Sequence, residues 1–116
     1  MNILKEYGIC EDKKLRYNLV KGNGESLSNM VGQRIRNIKA YIVFEQPDSN
    51  GEIQKVLKVL VTGENDKTEI LGTSSKSFVE GFIDYLDCME SDECAEFEIG
   101  QKRSTRSGRP YITFIA

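Results

Sequence analysis

A period-two pattern of apolar residues over two neighbouring segments constrains this fold most. Residues 38–44 place Ile, Ala, Ile and Phe at every second position, and residues 53–62 carry a similar alternation. Successive side chains of a β-strand point to opposite faces of a sheet, so a period of two predicts half-buried strands. The segment between them, 46–51, reads Gln-Pro-Asp-Ser-Asn-Gly and is rich in turn-forming residues. The two segments therefore predict an antiparallel hairpin.

The chain continues with a third strand and then a helix. Residues 63–66 form a second predicted turn, and residues 68–73 a short strand that completes a three-stranded meander. Apolar residues then recur at helical spacing, which predicts an amphipathic helix that ends near Cys88 or Met89. Ser74 or Ser75 is expected to cap it, and Ser77 with Glu80 fits a capping box. The apolar stripe of this helix consists of Phe78, Val79, Phe82, Ile83 and Leu86.

Two further strands are predicted over residues 95–99 and 111–114, with Ser107-Gly108 in the turn between them. Three strands, a helix and two strands is the element order of the OB-fold, a five-stranded Greek-key barrel. The predicted fold is therefore mainly β, with one helix between the third and fourth strands. An open α+β sandwich is the alternative. Residues 1–30 have no steady period and are expected to form an irregular N-terminal arm, with the OB-fold domain over 31–116.

The composition bounds the class of protein. A chain of 116 residues with 39% hydrophobic residues is the size of one soluble domain. It has no apolar run long enough to span a membrane and no segment resembling a signal peptide, so a cytoplasmic protein is expected. The three cysteines have no C-x-x-C spacing and there is no histidine, so neither a metal site nor a cofactor is expected. The missing histidine also disfavours an enzyme.

Charge is segregated along the chain although the net charge is only −2. Charged residues between Glu80 and Glu98 are almost all acidic, whereas those from Lys102 to Arg109 are all basic. Such segregation indicates either a face for an anionic partner or a solvated surface. In an OB-fold, oligonucleotides lie across the second and third strands and against the loop between the fourth and fifth strands, here residues 101–108. Cations in that loop suit phosphate oxygens.

Two tyrosines complete the candidate site. Tyr41 and Tyr111 have the parity opposite to the apolar residues of their strands, so both are expected to face outward beside cations. An outward aromatic ring suits base stacking, and the alternative is a surface pair that protects the sheet. The candidate nucleic-acid-binding residues are Arg34, Arg36, Lys39, Tyr41, Lys58, Lys102, Arg103, Arg106, Arg109 and Tyr111.

Three short segments resemble a known family. They are residues 31–33 (Val-Gly-Gln) leading into an Ile-x-x-Tyr strand, residues 72–78 (Gly-Thr-Ser-Ser-Lys-Ser-Phe) and residues 107–114 (Ser-Gly-Arg-Pro-Tyr-Ile-Thr-Phe). Together they resemble small phage-encoded single-stranded DNA-binding proteins. The resemblance implies an OB-fold, coating of replication or recombination intermediates, and no enzymatic activity. Many bacterial single-strand binders end in an acidic tail, whereas this chain ends in Ile-Thr-Phe-Ile-Ala, so tail-mediated recruitment of partners is not expected.

The leading hypothesis is therefore a sequence-tolerant single-stranded DNA-binding protein. Further partners that stay open are a second copy of the chain and replication or recombination proteins. The alternative is a small viral or plasmid-encoded interaction protein that inhibits a host enzyme through its acidic face. The basic hairpin favours the first hypothesis and the acidic run favours the second.

Overall fold

The computed structural model describes residues 2–9, 12–22 and 24–116. Within these ranges neither of the two α-helices is long and apolar enough to cross a membrane. The helices are α1 (Lys13–Lys21) and α2 (Lys76–Met89), and the strands are β1 (Asn2–Tyr7), β2 (Glu25–Ser26), β3 (Arg34–Ile35), β4 (Ile38–Pro47), β5 (Ile53–Thr62), β6 (Thr68–Thr73), β7 (Phe97–Arg103) and β8 (Pro110–Ile115).

The strands form two open sheets. One has the order β1-β4-β5-β6-β2 and the other β3-β7-β8. Every neighbouring pair is antiparallel except β2 with β6, which is parallel. The chain passes from β3 to β4 through Asn37, whose φ of 59° turns the backbone between the two sheets. Residues 34–47 therefore contribute to both sheets, β3 pairing with β7 and β4 with β5.

The main core lies between the two sheets and α2. Phe82 makes edge-to-face contacts with Tyr41 at 4.9 Å and with Phe114 at 5.7 Å between ring centroids. Phe78 contacts Phe97 in the same way at 5.4 Å. Aromatic rings favour such edge-to-face geometry because of their quadrupoles. Gly81 lets β8 approach the helix closely, since a Cβ there would lie 3.1 Å from the Cβ of Phe114.

A second, smaller core lies on the other face of the five-stranded sheet. Helix α1 buries Leu19 there against Ile42, Phe44 and Val56 of the sheet. Asp12 caps the helix by accepting a hydrogen bond from the backbone N–H of Leu15 at 3.0 Å. Both faces of the five-stranded sheet are therefore covered, which explains why residues 40–44 are buried without interruption.

The structure confirms the mainly β prediction, the order of three strands, one helix and two strands from residue 38 onward, and the extent and buried stripe of α2. The prediction of a single helix was wrong, because a second helix, α1, lies between β1 and β2. The irregular arm was also wrong where β1 (Asn2–Tyr7) and α1 (Lys13–Lys21) form: β1 pairs with β4, and α1 packs on the sheet. Residues 1, 10, 11 and 23 of that arm lie outside the described residues. The capping box of α2 is absent, since the Ser77 hydroxyl bonds to β8 instead.

Candidate nucleic-acid interface

The hairpin between β7 and β8 is an ordered turn. The backbone N–H of Ser104 donates to the carbonyl of Arg109 at 2.9 Å, and that of Gly108 donates to the carbonyl of Ser104 at 2.9 Å. Gly108 has a φ of +68°, which glycine adopts without strain. The guanidinium of Arg103 donates to the Gly108 carbonyl at 3.2 Å. These bonds fix the backbone from which the basic side chains project.

The charged residues of this hairpin are all basic. After Glu98 the sequence contains no carboxylate side chain. Within the described ranges, no ion pair involves any cation of the hairpin. All four are exposed, so their charge is available to an anionic ligand. They are Lys102, Arg103, Arg106 and Arg109.

An exposed aromatic ring lies at the base of the hairpin. Tyr111 is 37% exposed and lies directly opposite Lys102 in the β7–β8 ladder. The next pair on this outer face is Gly100 with Thr113. A Cβ at Gly100 would lie 2.7 Å from the Thr113 hydroxyl and 2.7 Å from Ile115, so these two side chains occupy the space above the glycine. The exposed ring of Tyr111 beside the Lys102 cation suits a stacked base.

A pocket of about 480 Å³ lies beside Tyr111. Helix α2 forms its other side, since the Ser77 hydroxyl donates to the Ile112 carbonyl of β8 at 2.9 Å. The pocket brings together an aromatic ring, three serine hydroxyls and one phenol hydroxyl, one cation and one carboxylate. Its lining residues are Ser75, Lys76, Ser77, Glu80, Ser104 and Tyr111.

The second predicted basic group lies elsewhere. Arg34 makes an ion pair with Glu96 at 2.8 Å, and Arg36 approaches the same carboxylate at 3.8 Å. Arg34 lies opposite Glu98 in the β3–β7 ladder, and Lys102 follows Glu98 by four residues on β7. At about 3.3 Å per residue, the hairpin cations begin roughly 13 Å away. Carboxylates thus offset Arg34 and Arg36 in part. The third member of this group, Lys39, is exposed.

Tyr41 does not face outward, and its assignment to a stacking surface was wrong. Its side chain is fully buried (0% exposed) between the sheet and α2, where its hydroxyl donates to the Asp92 carbonyl. Burial raises the pKa of this phenol well above its ordinary value. Parity misled here because α1 covers the opposite face, so apolar residues occupy both faces of β4.

Lys58 is also held inside the fold rather than offered to phosphate. Its ammonium donates to the Gly22 carbonyl at 2.9 Å, just beyond the C-terminus of α1. A cation suits this position because helix C-termini carry partial negative charge. Burial lowers the pKa of Lys58. The second-strand face predicted to carry DNA is covered by α1 at this point, so Lys58 stabilises that covering helix.

The acidic residues gather at the far end of α2. Lys5 is the partner of two of them, 3.0 Å from Asp87 and 3.8 Å from Asp92, and its hydrogen bond to Asp87 raises the pKa of the lysine. Fourteen residues of α-helix span about 20 Å, so the residues beyond the end of α2 lie well away from the Tyr111 pocket, whereas Asp84 lies one helical turn from Glu80. The exposed carboxylates of this acidic surface are those of Asp84, Asp87, Glu90, Asp92 and Glu93.

The cysteines and acidic residues give no sign of a metal centre in the part of the chain that is described. No group of three or more Cys, Asp or Glu side chains there is arranged to hold an ion. Cys88 is exposed, and Cys94 is buried, which raises the pKa of its thiol. Cys10 lies outside the described residues.

No protein-family model, curated protein or solved structure matches the chain. A function must therefore be inferred from the geometry of the hairpin and its surroundings.

The pocket residues of α2 are functional candidates that the sequence did not single out. Lys76 and Glu80 share a helix face by their spacing of four, but the sequence does not show which strand that face meets. The available signal was the resemblance itself. Its segments 72–78 and 107–114 meet in the structure, where Ser77 bonds to Ile112 and the rings of Phe78 and Phe114 lie 5.8 Å apart.

Proposed function

We infer that this chain is a sequence-tolerant single-stranded DNA-binding protein that acts on phage replication or recombination intermediates. The observation that carries the proposal is the pairing of exposed Tyr111 with Lys102 at the base of a hairpin whose cations form no ion pair with a described residue. Unpaired cations gain counterion-release free energy on binding phosphates, and an exposed ring stacks on any base. Neither the phosphate contacts nor the stacking contact distinguishes one base from another.

The strand pairings support an OB-type fold for this proposal. If β3 and β4 are counted as one bent first strand, β5 and β6 are the second and third strands and pair with it in sequence. The fourth strand, β7, pairs with the β3 part of the first. The resulting spatial order is 4-1-2-3, which is that of a Greek key. Helix α2 makes the long connection. In the described part of the chain no ladder joins β6 to β8, so the proposed barrel is open there. The β7–β8 hairpin corresponds to the binding loop between the fourth and fifth strands.

Single strands are favoured over duplex because the Tyr111 ring needs an unpaired base. In a duplex the bases are already stacked on each other, and their faces are not available to the ring. Duplex DNA would therefore make only the phosphate contacts of the hairpin.

The second candidate function is inhibition of a host enzyme through the acidic surface at the end of α2. The observation that favours it is that five exposed carboxylates lie there. Lys5 pairs with two of them and offsets only part of their charge. A surface of that charge resembles a nucleic-acid backbone to a basic partner.

Fluorescence anisotropy with labelled single-stranded and double-stranded oligonucleotides across a salt series tests the proposal. Single strands should bind more tightly, and log K should fall with log[salt] with a slope of about −0.7 per phosphate contacted. Equal or tighter binding of duplex, or no binding at low salt, would contradict the proposal. The second outcome would favour the acidic-surface function.

A further inference from the structure

We propose that the pocket beside Tyr111 is a nucleobase site that selects guanine. This inference rests on the proposed single-strand binding and adds a base preference to it.

The pocket has the size and composition of a small-molecule site. Its volume of about 480 Å³ lies within the range of roughly 300–1,000 Å³ typical of ligand pockets. Tyr111 contributes an aromatic ring from β8, and Lys76 and Glu80 contribute opposite charges from α2. Unstacked bases are commonly recognised by such a combination, in which a ring holds the base face and polar groups read its edge.

Lys76 and Glu80 are available for that edge. Although they are four residues apart on α2, they form no ion pair with each other or with any described residue. A lysine that precedes a glutamate at this spacing is the less favourable orientation for a helical pair. Both charges can therefore turn toward a ligand without first breaking an ion pair.

The Lys76 cation beside the Glu80 carboxylate matches the Watson–Crick edge of guanine. Its Watson–Crick edge presents one acceptor, O6, beside two donors, N1–H and the N2 amino group. The ammonium of Lys76 can donate to O6 while the carboxylate of Glu80 accepts from both donors. Adenine and cytosine each present one exocyclic amino group, and thymine presents one ring N–H between two carbonyls, so none offers Glu80 two adjacent donors. A well-formed two-bond contact discriminates against the wrong base by about tenfold or more.

The charges around the pocket determine how a bound DNA strand would be oriented. Beyond Lys76 and Glu80 a second pocket continues toward the β4–β5 hairpin. Its lining carries four carboxylates against two lysines, Lys55 and Lys76, so its net negative charge would repel a phosphate. The cations lie on the opposite side, in the β7–β8 hairpin. A bound DNA strand would therefore place its phosphate backbone along the β7–β8 hairpin and one of its bases in the pocket near Glu80. The acidic residues of the second pocket are Glu45, Asp48, Glu52 and Glu80.

The first test varies the ligand. Labelled oligothymidylates of equal length would carry one central guanine, adenine, cytosine or thymine, and affinity would be measured by anisotropy at one salt concentration. A single guanine avoids four-stranded structures, and the identical flanks let the protein place that base in the pocket. We expect the guanine oligonucleotide to bind about tenfold more tightly. Hypoxanthine, which lacks the N2 amino group, should lose most of this preference, and 7-deazaguanine, which keeps the Watson–Crick edge, should retain it.

The second test varies the protein. Glu80→Gln removes the carboxylate and should reduce the guanine preference to about twofold or less, while oligothymidylate affinity stays the same or rises. Asp84→Asn is the matched control, because it removes the same charge one helical turn later from an exposed residue that does not line the pocket. This variant should keep the full preference. Circular dichroism melting would establish that both variants are folded.

The outcomes separate this inference from the proposed function. Equal affinity for all four bases, or a hypoxanthine oligonucleotide that binds as tightly as guanine, would overturn the guanine site and leave single-strand binding intact. If no oligonucleotide binds even at low salt, both proposals are wrong. Since the hypoxanthine comparison uses the unaltered protein, it decides the question even if Glu80→Gln does not fold.

Discussion

The hydroxyl of Ser77 on α2 donates a hydrogen bond to the carbonyl of Ile112 on β8 at 2.9 Å. Because β8 is an edge strand, this carbonyl would otherwise lack a partner on that side. The bond joins the first turn of the helix to the strand that carries Tyr111. It therefore positions the two sides of the candidate site relative to each other.

Removing this bond should weaken the fold modestly and disturb the site. Ser77→Ala leaves the Ile112 carbonyl without its hydroxyl partner and should lower the free energy of unfolding by about 1 kcal/mol. Chemical denaturation measures the change. Ser74→Ala is the control, because Ser74 is exposed and makes no such bond to β8, and it should have almost no effect. Equal stabilities of the two variants would mean that the Ser77 bond contributes nothing.

The hairpin arginines should act through phosphate contacts alone. The double variant Arg103→Gln/Arg106→Gln removes two unpaired charges and should weaken binding to all single strands alike. The salt slope should become less steep by about 0.7 for each phosphate that the hairpin no longer neutralises. The control Lys13→Gln/Lys14→Gln removes the same charge from exposed positions on α1. Anisotropy across a salt series should therefore separate a local effect at the hairpin from a change in net charge, and identical slopes for the two variants would argue against the hairpin.

Tyr111 should act by stacking on a base. Stacking neutralises no phosphate, so it should not contribute to the salt dependence of binding. Tyr111→Ala should cost about 1–3 kcal/mol of binding free energy with a nearly unchanged salt slope. Tyr111→Phe keeps the ring and should retain most of the affinity. Tyr17→Ala removes another exposed tyrosine, which lies on α1, and should bind like the unaltered protein. If Tyr111→Ala also binds like the unaltered protein, the stacking surface lies elsewhere.

Local pattern was sufficient for the elements with a clear period. The strands β4, β5 and β6 and helix α2 lie close to their predicted ranges, since hydrophobic period and turn residues agree there. Strands β2 and β3 have two residues each and are too short to show a period. Helix α1 was missed because its nine residues bury little apolar surface; Leu19 is its one fully buried side chain in the described structure.

The candidate site was predictable only where one strand face stays open. Tyr111 is 37% exposed on β8, an edge strand of the smaller sheet, and the hairpin arginines are exposed because turns lie at the surface. For Tyr41 and Lys58, the accuracy of the prediction depended instead on whether another element covers the outer face of the larger sheet. That element is α1, and no local pattern in β4 or β5 shows its presence. The pocket residues Lys76 and Glu80 likewise depend on the docking of α2 against β8.

Helix α1 should be an integral part of the fold. Leu19 is fully buried against the sheet, so Leu19→Ala should lower the free energy of unfolding by about 2–5 kcal/mol through reduced burial and a cavity. Tyr17→Ala, on the exposed side of the same helix, should change stability little. A single unfolding transition by circular dichroism and by tyrosine fluorescence would show that α1 unfolds with the sheet. A melting temperature unchanged by Leu19→Ala would mean that α1 does not stabilise the sheet and would favour the irregular N-terminal arm that the sequence predicted.

Tyr41 should contribute to stability and not to DNA binding. Its hydroxyl donates to the Asp92 carbonyl, within the segment that leads from α2 to β7. Tyr41→Phe keeps the ring and its edge-to-face contact with Phe82 but removes this bond, so we expect a loss of about 1 kcal/mol in the free energy of unfolding. Because the ring is buried, affinity for single strands should not change. The control is Tyr7→Phe, since Tyr7 stacks on Tyr41 at 5.9 Å but is itself exposed, and its stability should stay the same. Denaturation and anisotropy on the same preparations would measure both quantities. A Tyr41→Phe protein with native stability and weakened DNA binding would mean that the Tyr41 hydroxyl reaches the ligand and that the burial of this side chain has been misassigned.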